Sequence, residues 1–166
     1  MGKGDFIIEQ ARRNPNINFI GIEKFDSIVA KALPKIPNDV NNLYILCFDA
    51  LFIDEIFKDE ISSIFLNFSD PWHKKRHHSR RLTSKIFLDK YDGIIKDKAI
   101  IYMKTDHPDL FSYSVESLSH HGYLLSDVTF DLHRTDPDDI VMTEYETKFI
   151  QKGNPIYYMK ATKWKT

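Results

Sequence analysis

The strongest chemical feature of the sequence is an aspartate at a rigid turn, followed directly by a dense block of positive charge. Asp70-Pro71-Trp72 ends an apolar run, and Pro71 disfavours helical geometry at Asp70, which holds that carboxylate at the tip of a strand. From His73 to Lys85 the chain has six Lys or Arg, three His and no acid. A carboxylate beside such a block indicates chemistry performed next to a bound polyanion.

The cationic block is distinctive because the rest of the chain is acidic. The whole chain has a net charge of −1, so the residues outside the block carry −7. Cations at the start of a helix oppose the helix dipole, so a phosphate partner explains them better than the alternative of a solvated helix start. The three histidines do not predict a metal site, because the neighbouring cations would repel a metal ion. The candidate polyanion contacts are Lys74, Lys75, Arg76, His77, Arg80 and Arg81.

Length and composition predict one domain that spans residues 1–166. A hydrophobic content of 42% is typical of a globular protein, and no apolar run reaches the roughly 18 residues that cross a bilayer. The N-terminal residues do not form a signal peptide, which predicts a cytoplasmic location. The single cysteine, Cys47, lies in an apolar run and is predicted to be a buried strand residue rather than a nucleophile. Without a CxxC pair, a structural zinc site is not expected.

Helical and strand patterns alternate along the chain. Helices are predicted for residues 6–13, 25–33 and 143–151, and strands for residues 17–22, 43–48, 61–68, 98–104 and 155–161. Apolar spacing predicts two more helices at residues 82–94 and 111–118, the second capped by Gly122, and alternation at residues 128–132 predicts a late strand. This order predicts an α/β fold in which a mostly parallel sheet carries helices on both faces.

An acid follows each of the first four predicted strands. These acids are Glu23, Asp49, Asp70 and Asp106. Because ligands of such sheets bind at the carboxyl ends of the strands, the four acids are candidate site residues. Their alternative roles are a helix-capping acid at Glu23, a helix N-cap at Asp49 and an Asx turn at Asp70.

The glycine turn at the start of the chain predicts a nucleoside site. Gly2 and Gly4 would let the backbone approach a ligand at a helix N-terminus, and Glu23 follows about 20 residues later, where a carboxylate accepts ribose hydroxyls. Asp49 could then accept a hydrogen bond from the adenine amino group. Such a turn normally follows a strand, so we expect Met1 to be an internal methionine of a longer glycine loop whose N-terminal strand is missing.

These motifs resemble the signature of the bacterial tRNA (guanine-N7-)-methyltransferases. The resemblance implies a Rossmann-like class I methyltransferase fold that uses S-adenosylmethionine to methylate N7 of a guanine at position 46, in the variable loop of tRNA. It extends from residue 2 to residue 161 and rests on Leu66–Trp72, Lys74–Leu82, Gly21–Glu23, Lys104–Asp106, Asp131–His133 and the segment from Thr143 to Phe149.

The resemblance implies a role for each matching residue. The cofactor is bound by Gly2, Gly4, Glu23, Asp49 and Asp70, and Asp70 is also the catalytic residue. The tRNA is contacted by Lys74, Asp106, Thr143 and Glu146, while its backbone meets Lys75, Arg76, His77, Arg80 and Arg81.

Two other classes of function stay open on the sequence alone. One is a non-catalytic RNA-binding protein with a degenerate cofactor site, which cofactor binding would distinguish from an enzyme. The other is a nicotinamide-dependent oxidoreductase, which fits the glycine turn and Glu23 but has no use for the cationic block. The predicted partner is tRNA, with no membrane and no metal, and the predicted state is a monomer or homodimer.

Overall fold

The computed structural model describes residues 1–134, 141–143, 145–146 and 153–165. The chain divides into two compact units, Met1–Phe52 with Asp138–Lys148 and Ile53–Pro137 with Phe149–Thr166. Each unit contains its own sheet. That the whole chain forms a single domain stays a prediction. Within the described residues, no helix is long and apolar enough to cross a membrane.

The first unit is built on a two-stranded parallel sheet with two helices. The elements in chain order are α1 (Asp5–Arg13), β1 (Phe19–Glu23), α2 (Asp26–Ala32) and β2 (Leu43–Cys47). The two strands pair in register from Phe19 opposite Leu43 to Glu23 opposite Cys47, so their carboxyl ends lie at the same edge. All four elements were predicted, with boundaries that differ by no more than two residues.

Strand β2 is less buried than its apolar sequence predicts. Tyr44 is 54% exposed and Cys47 is also exposed, although both helices contact the strand. The prediction that Cys47 is buried is therefore wrong. An apolar run indicates burial only where another element covers both faces, and α1 and α2 leave these two side chains uncovered.

The second unit is built on a four-stranded mixed sheet. Its elements in chain order are β3 (Ile61–Asn67), α3 (Lys85–Ile94), β4 (Ile95–Thr105), α4 (Pro108–His120), β5 (Leu124–Thr129) and β6 (Tyr157–Trp164). The strand order in the sheet is β3-β4-β6-β5. Strands β3 and β4 are parallel, whereas β6 is antiparallel to both β4 and β5. Residues such as Leu88, Ile101 and Met159 are fully buried and form the core.

The late strand lies earlier in the chain than predicted. The alternation at residues 128–132 predicted a strand there, but β5 ends at Thr129 and Leu132 lies in a 3-10 helix, Leu132–Arg134. Asp127 has a φ of 50° and the pairing with β6 shifts register between Ser126 and Thr129. This irregularity breaks the alternation, which leaves Phe130 68% exposed. The helix predicted for residues 143–151 lies mostly outside the described residues.

Candidate active site

The glycine turn and Glu23 lie side by side in the first unit. Gly2 and Gly4 have φ angles of 63° and 90°, in the left-handed region that favours glycine, and Gly4 is the N-cap of α1. A Cβ on Gly4 would lie only 3.2 Å from the Cβ of Ala32. The N–H of Gly2 donates to Oε2 of Glu23 at 3.0 Å. The structure therefore brings together the glycine turn and the acid predicted to bind a ribose.

The Glu23 carboxylate collects hydrogen bonds on both oxygens. Oε2 also accepts from the Met1 amino group at 3.2 Å, and Oε1 accepts from the N–H of Phe25 at 3.2 Å. The pKa of Glu23 lies below its ordinary value: partial burial favours a higher pKa, and the N–H groups of Gly2 and Phe25 are among the donors that counter it. Glu23 is therefore ionised at neutral pH. Its bond to the N–H of Phe25 lies just before α2, for which the structure shows no side-chain cap hydrogen bond, so the helix-capping alternative is not shown.

The Asp49 carboxylate forms a local turn. Oδ1 accepts from the N–H of Leu51 at 3.0 Å, and Oδ2 pairs with Nζ of Lys24 at 2.7 Å. The hydrogen bond from Lys24 is the main cause that lowers the pKa of Asp49, and the Leu51 N–H adds to it against partial burial. Leu51 lies in the short 3-10 helix Ala50–Glu55, so the alternative role of Asp49 as an N-cap is the one that this geometry shows. A contact with adenine stays a prediction.

Two apolar residues beside these acids were missed by the sequence reasoning. Phe25 is 58% exposed and Leu51 is 37% exposed. Each follows its acid by two positions and donates its N–H to that acid. Small-molecule sites combine apolar surface with a few polar groups that fix the orientation of the ligand. In the sequence, both residues could have been recognised as an apolar residue two positions after an acid at the carboxyl end of a strand.

In the second unit, the Asp70 loop has an unusual backbone conformation. Phe68 and Trp72 have φ angles of 51° and 44°, and they flank Asp70 and Pro71. Residues other than glycine in this region cost about 1–3 kcal/mol each and persist only where their surroundings hold them. The N–H of Phe68 is fixed by the carbonyl of Lys104 at 2.8 Å. Such strain is typical of functional loops.

Asp70 and Asp106 leave neighbouring parallel strands at the same edge of the sheet. Asn67 at the end of β3 lies opposite Lys104 near the end of β4, so the two acids follow paired positions. Asp70 is exposed, and its carboxylate has no hydrogen bond or ion pair with any residue that the structure describes. An Asx turn at Asp70 is therefore not formed. None of the described residues occupies this carboxylate, which makes it a candidate for substrate binding.

Two polar atoms at the same edge were not anticipated. Oδ1 of Asn67 and Nδ1 of His107 are buried without a hydrogen-bond partner in the described part of the chain. The His107 ring packs against His73 with centroids 4.6 Å apart. Unpartnered buried polar atoms are rare, and they cluster at functional sites. Asn67 lies within the Leu66–Trp72 motif, but nothing in the sequence indicated that it or His107 would have a buried atom without a partner.

The cationic block forms a short 3-10 helix, Lys75–Arg80, directly after the loop. The Arg80 guanidinium lies 5.0 Å from the Trp72 ring centroid, and His77 meets the same ring edge-on at 5.8 Å. Aromatic contacts therefore tie the block to the loop that carries Asp70. Of the predicted polyanion contacts, four cations are exposed and His77 is half-buried. The four exposed cations are Lys74, Lys75, Arg76 and Arg80.

Arg81 does not share this surface. It is 3% exposed, its Nε donates to the carbonyl of Pro71 at 2.8 Å, and its guanidinium lies 4.5 Å from the ring centroid of Tyr113. Burial lowers the pKa of Arg81, opposed by Tyr113 and Asp109. This geometry does not favour the prediction that Arg81 meets an RNA backbone, because the residue is almost fully buried, with Nε on a carbonyl and the guanidinium on an aromatic ring. We therefore remove Arg81 from the proposed RNA surface.

Thr143 and Glu146, in the first unit, form a reciprocal capping box. The N–H of Thr143 donates to Oε2 of Glu146 at 2.7 Å, and the N–H of Glu146 donates to Oγ1 of Thr143 at 3.0 Å. Both residues are buried. The sequence carries the Thr-x-x-Glu signature of this motif, which was not among the predictions. Contact of this pair with tRNA stays a prediction.

We expect Thr143→Ala to lower the free energy of unfolding by about 1 kcal/mol, because the substitution removes the hydroxyl that accepts the N–H of Glu146. Thr143→Ser keeps the acceptor and should retain most of the stability. Urea unfolding of the three proteins measures the difference. Unchanged stability with weaker tRNA binding would instead support a substrate contact.

Known proteins resemble this chain over nearly its whole length. The family described as "Putative methyltransferase" matches residues 1–159. The tRNA (guanine-N(7)-)-methyltransferase of Bacillus velezensis is 46% identical over 99% of this chain and 76% of that protein. The chain belongs to this methyltransferase family. The tRNA (guanine-N(7)-)-methyltransferase of Listeria monocytogenes is 48% identical over 96% of this chain and 76% of that protein.

Solved structures of other methyltransferases share the fold of this family member. An antibiotic-related methyltransferase has a TM-score of 0.66 at 18% identity, over 98% of this chain and 83% of that one. An S-adenosylmethionine-dependent methyltransferase from Aquifex aeolicus has a TM-score of 0.67 at 12% identity, over 97% of this chain and 77% of that one. At these identities the likeness concerns the fold alone, and it confirms the predicted Rossmann-like class I methyltransferase fold.

Proposed function

We propose that this protein transfers a methyl group from S-adenosylmethionine to N7 of a guanine in tRNA, at position 46 of the variable loop. The observation that carries the proposal is the exposed Asp70 carboxylate on a strained loop, followed directly by four exposed cations. A relative that is 46% identical bears the name of this activity. Membership of a methyltransferase family argues against the nicotinamide-dependent oxidoreductase.

The residues of the first unit fit S-adenosylmethionine. The Gly2–Gly4 turn brings backbone N–H groups to the start of α1, and Glu23 presents an ionised acceptor suited to ribose hydroxyls. Phe25 and Leu51 offer apolar surface suited to an adenine ring. When bound, S-adenosylmethionine supplies an electrophilic methyl group.

The chemistry of guanine N7 indicates the role of the Asp70 carboxylate in the reaction. N7 carries an in-plane lone pair and no proton, so no general base is needed and the reaction depends mainly on positioning. The methylated purine is cationic. The Asp70 carboxylate orients the base and stabilises the positive charge as it develops. The cations of the block bind the phosphates of the tRNA.

A tRNA with a single altered atom tests the proposal. We would compare methyl incorporation into a tRNA with guanosine at position 46 and into a matched tRNA with 7-deazaguanosine there, which has carbon in place of N7. We expect methylation of the first and none of the second, with similar binding. Equal methylation of both would overturn the assignment to N7 of guanine 46.

We expect Glu23→Ala to weaken binding of S-adenosylhomocysteine by about 10- to 100-fold, because hydrogen bonds to a charged group contribute roughly 1.5–3 kcal/mol. The lowered pKa of Glu23 keeps it ionised, so wild-type affinity should be constant between about pH 6 and pH 8 and fall only in more acidic solution. Titration calorimetry measures both effects. Asp39→Ala, which removes an exposed acid elsewhere in the same unit, is the matched control.

The same titration addresses the remaining alternative. A non-catalytic RNA-binding protein would bind tRNA without binding S-adenosylhomocysteine. A monomeric or homodimeric state, a cytoplasmic location and independence from metal ions stay predictions that accompany this proposal. In the described residues, no group of three or more His, Cys, Asp or Glu side chains is arranged to hold a metal ion.

A further inference from the structure

One buried arginine anchors the centre of the loop that carries Asp70. Nε of Arg81 donates to the Pro71 carbonyl at 2.8 Å, although Arg81 is only 3% exposed. Proline has no N–H, so this carbonyl is the only polar backbone group of Pro71. The hydrogen bond therefore fixes the peptide plane that follows the Asp70–Pro71 unit.

The backbone next to Arg81 is itself fixed to α4. The hydroxyls of Thr83 and Ser114 lie 2.6 Å apart, and Oγ of Ser117 donates to the carbonyl of Thr83 at 2.6 Å. The guanidinium of Arg81 stacks on the ring of Tyr113, which is also on α4. Because the backbone beside Arg81 is bonded to α4 and its guanidinium contacts Tyr113, the Arg81 side chain can constrain a loop that contains strained residues.

The neighbouring Arg80 provides a contrast within the same chain. Arg80 is exposed and lies over the outer side of the loop at Trp72, where its charge remains open to an RNA phosphate. Arg81 is almost fully buried, with its Nε on a carbonyl and its guanidinium on an aromatic ring. The two adjacent arginines therefore have different environments, because Arg80 is exposed and Arg81 is buried.

We infer that Arg81 is a positioning residue for methyl transfer, which holds Asp70 in place through the Pro71 carbonyl instead of binding RNA. This inference rests on the proposed function, because Asp70 is the group being positioned. A guanidinium is required because it donates a directed hydrogen bond and stacks on Tyr113 at the same time. A lysine ammonium can reach a carbonyl but cannot stack in this way.

Trp72 reports the state of the loop without any need for activity. The chain has two tryptophans, so Trp164→Phe leaves Trp72 as the single fluorophore. In that background we expect Arg81→Met to increase quenching of Trp72 by acrylamide, and Tyr113→Leu to have a smaller effect in the same direction. Tyr113→Phe keeps the ring and should leave quenching unchanged. Circular dichroism confirms folding, and Arg81→Lys replaces Arg81→Met if the latter does not fold.

Steady-state kinetics separate positioning from RNA binding. We expect Arg81→Met to lower kcat on the order of 10²-fold with KM for tRNA and the salt dependence of binding unchanged, because a small misplacement of a reacting group has this effect. Arg81→Lys should recover part of kcat. Arg80→Met should instead weaken tRNA binding and reduce the salt slope by about 1.

Two results would overturn the inference. One is that Arg81→Met behaves as Arg80→Met, with kcat intact and a smaller salt slope, which would make Arg81 a phosphate contact. The other is that neither quenching nor kcat changes. A wild-type protein that binds no S-adenosylhomocysteine and methylates no tRNA would remove the proposed function instead, and the fluorescence of Trp72 would still show whether Arg81 holds the loop.

Discussion

Asp70→Ala is expected to lower kcat for tRNA methylation by about 10²–10³-fold, while affinity for S-adenosylhomocysteine falls much less. The reason is that the carboxylate stabilises charge that develops only as the methyl group is transferred. Asp70 is exposed and unpaired within the described residues, so its removal leaves no buried group without a partner. Single-turnover methylation with saturating tRNA and cofactor measures the change.

Conservative variants separate charge from shape at Asp70. Asp70→Asn keeps the size and hydrogen-bonding reach of the side chain but removes the negative charge, so its kcat should fall nearly as far as that of Asp70→Ala. Asp97→Ala removes an exposed acid from the same unit and should retain wild-type kcat. Equal losses of kcat and of cofactor affinity in Asp70→Ala would argue against a role in the transferring step.

The edge positions of the site were predictable from the sequence because they follow from strand periodicity. Apolar runs locate β1 to β4, and parallel neighbours end at one edge, so an acid after each run falls where ligands bind. The structure places Glu23 beside the glycine turn and brings Asp70 and Asp106 to one edge. These placements require only the order and direction of strands.

Side-chain burial was not predictable in the same way. Arg80 and Arg81 are identical and adjacent, yet one is exposed and the other is fixed between a carbonyl and an aromatic ring of a helix that begins at Pro108. Which of them faces solvent depends on a contact with Tyr113, some 30 residues away in sequence. No local pattern encodes such a long-range contact, and the same is true of the exposure of Cys47.

The affinity for tRNA is expected to depend steeply on salt. If each of four exposed cations meets a phosphate, log K for tRNA binding should fall by about 3 to 4 for each tenfold rise in salt concentration. The four cations are Lys74, Lys75, Arg76 and Arg80. Between about 50 and 200 mM salt this corresponds to a loss of affinity of about 10²-fold. Arg81 is excluded from the count because it is buried. Filter binding of tRNA over a salt series measures the slope.

Two triple variants with the same change in charge decide whether this slope comes from the block. Changing Lys74, Lys75 and Arg76 to Gln should reduce the slope by about 2 to 3, because each lost phosphate contact removes close to one counterion. Changing Lys58, Lys96 and Lys98 to Gln removes three exposed cations elsewhere in the same unit and should leave the slope unchanged, since contacts and not net charge set it. Equal reductions in both variants would mean that a diffuse field attracts the tRNA, and that the block is a solvated surface with no specific phosphates to bind.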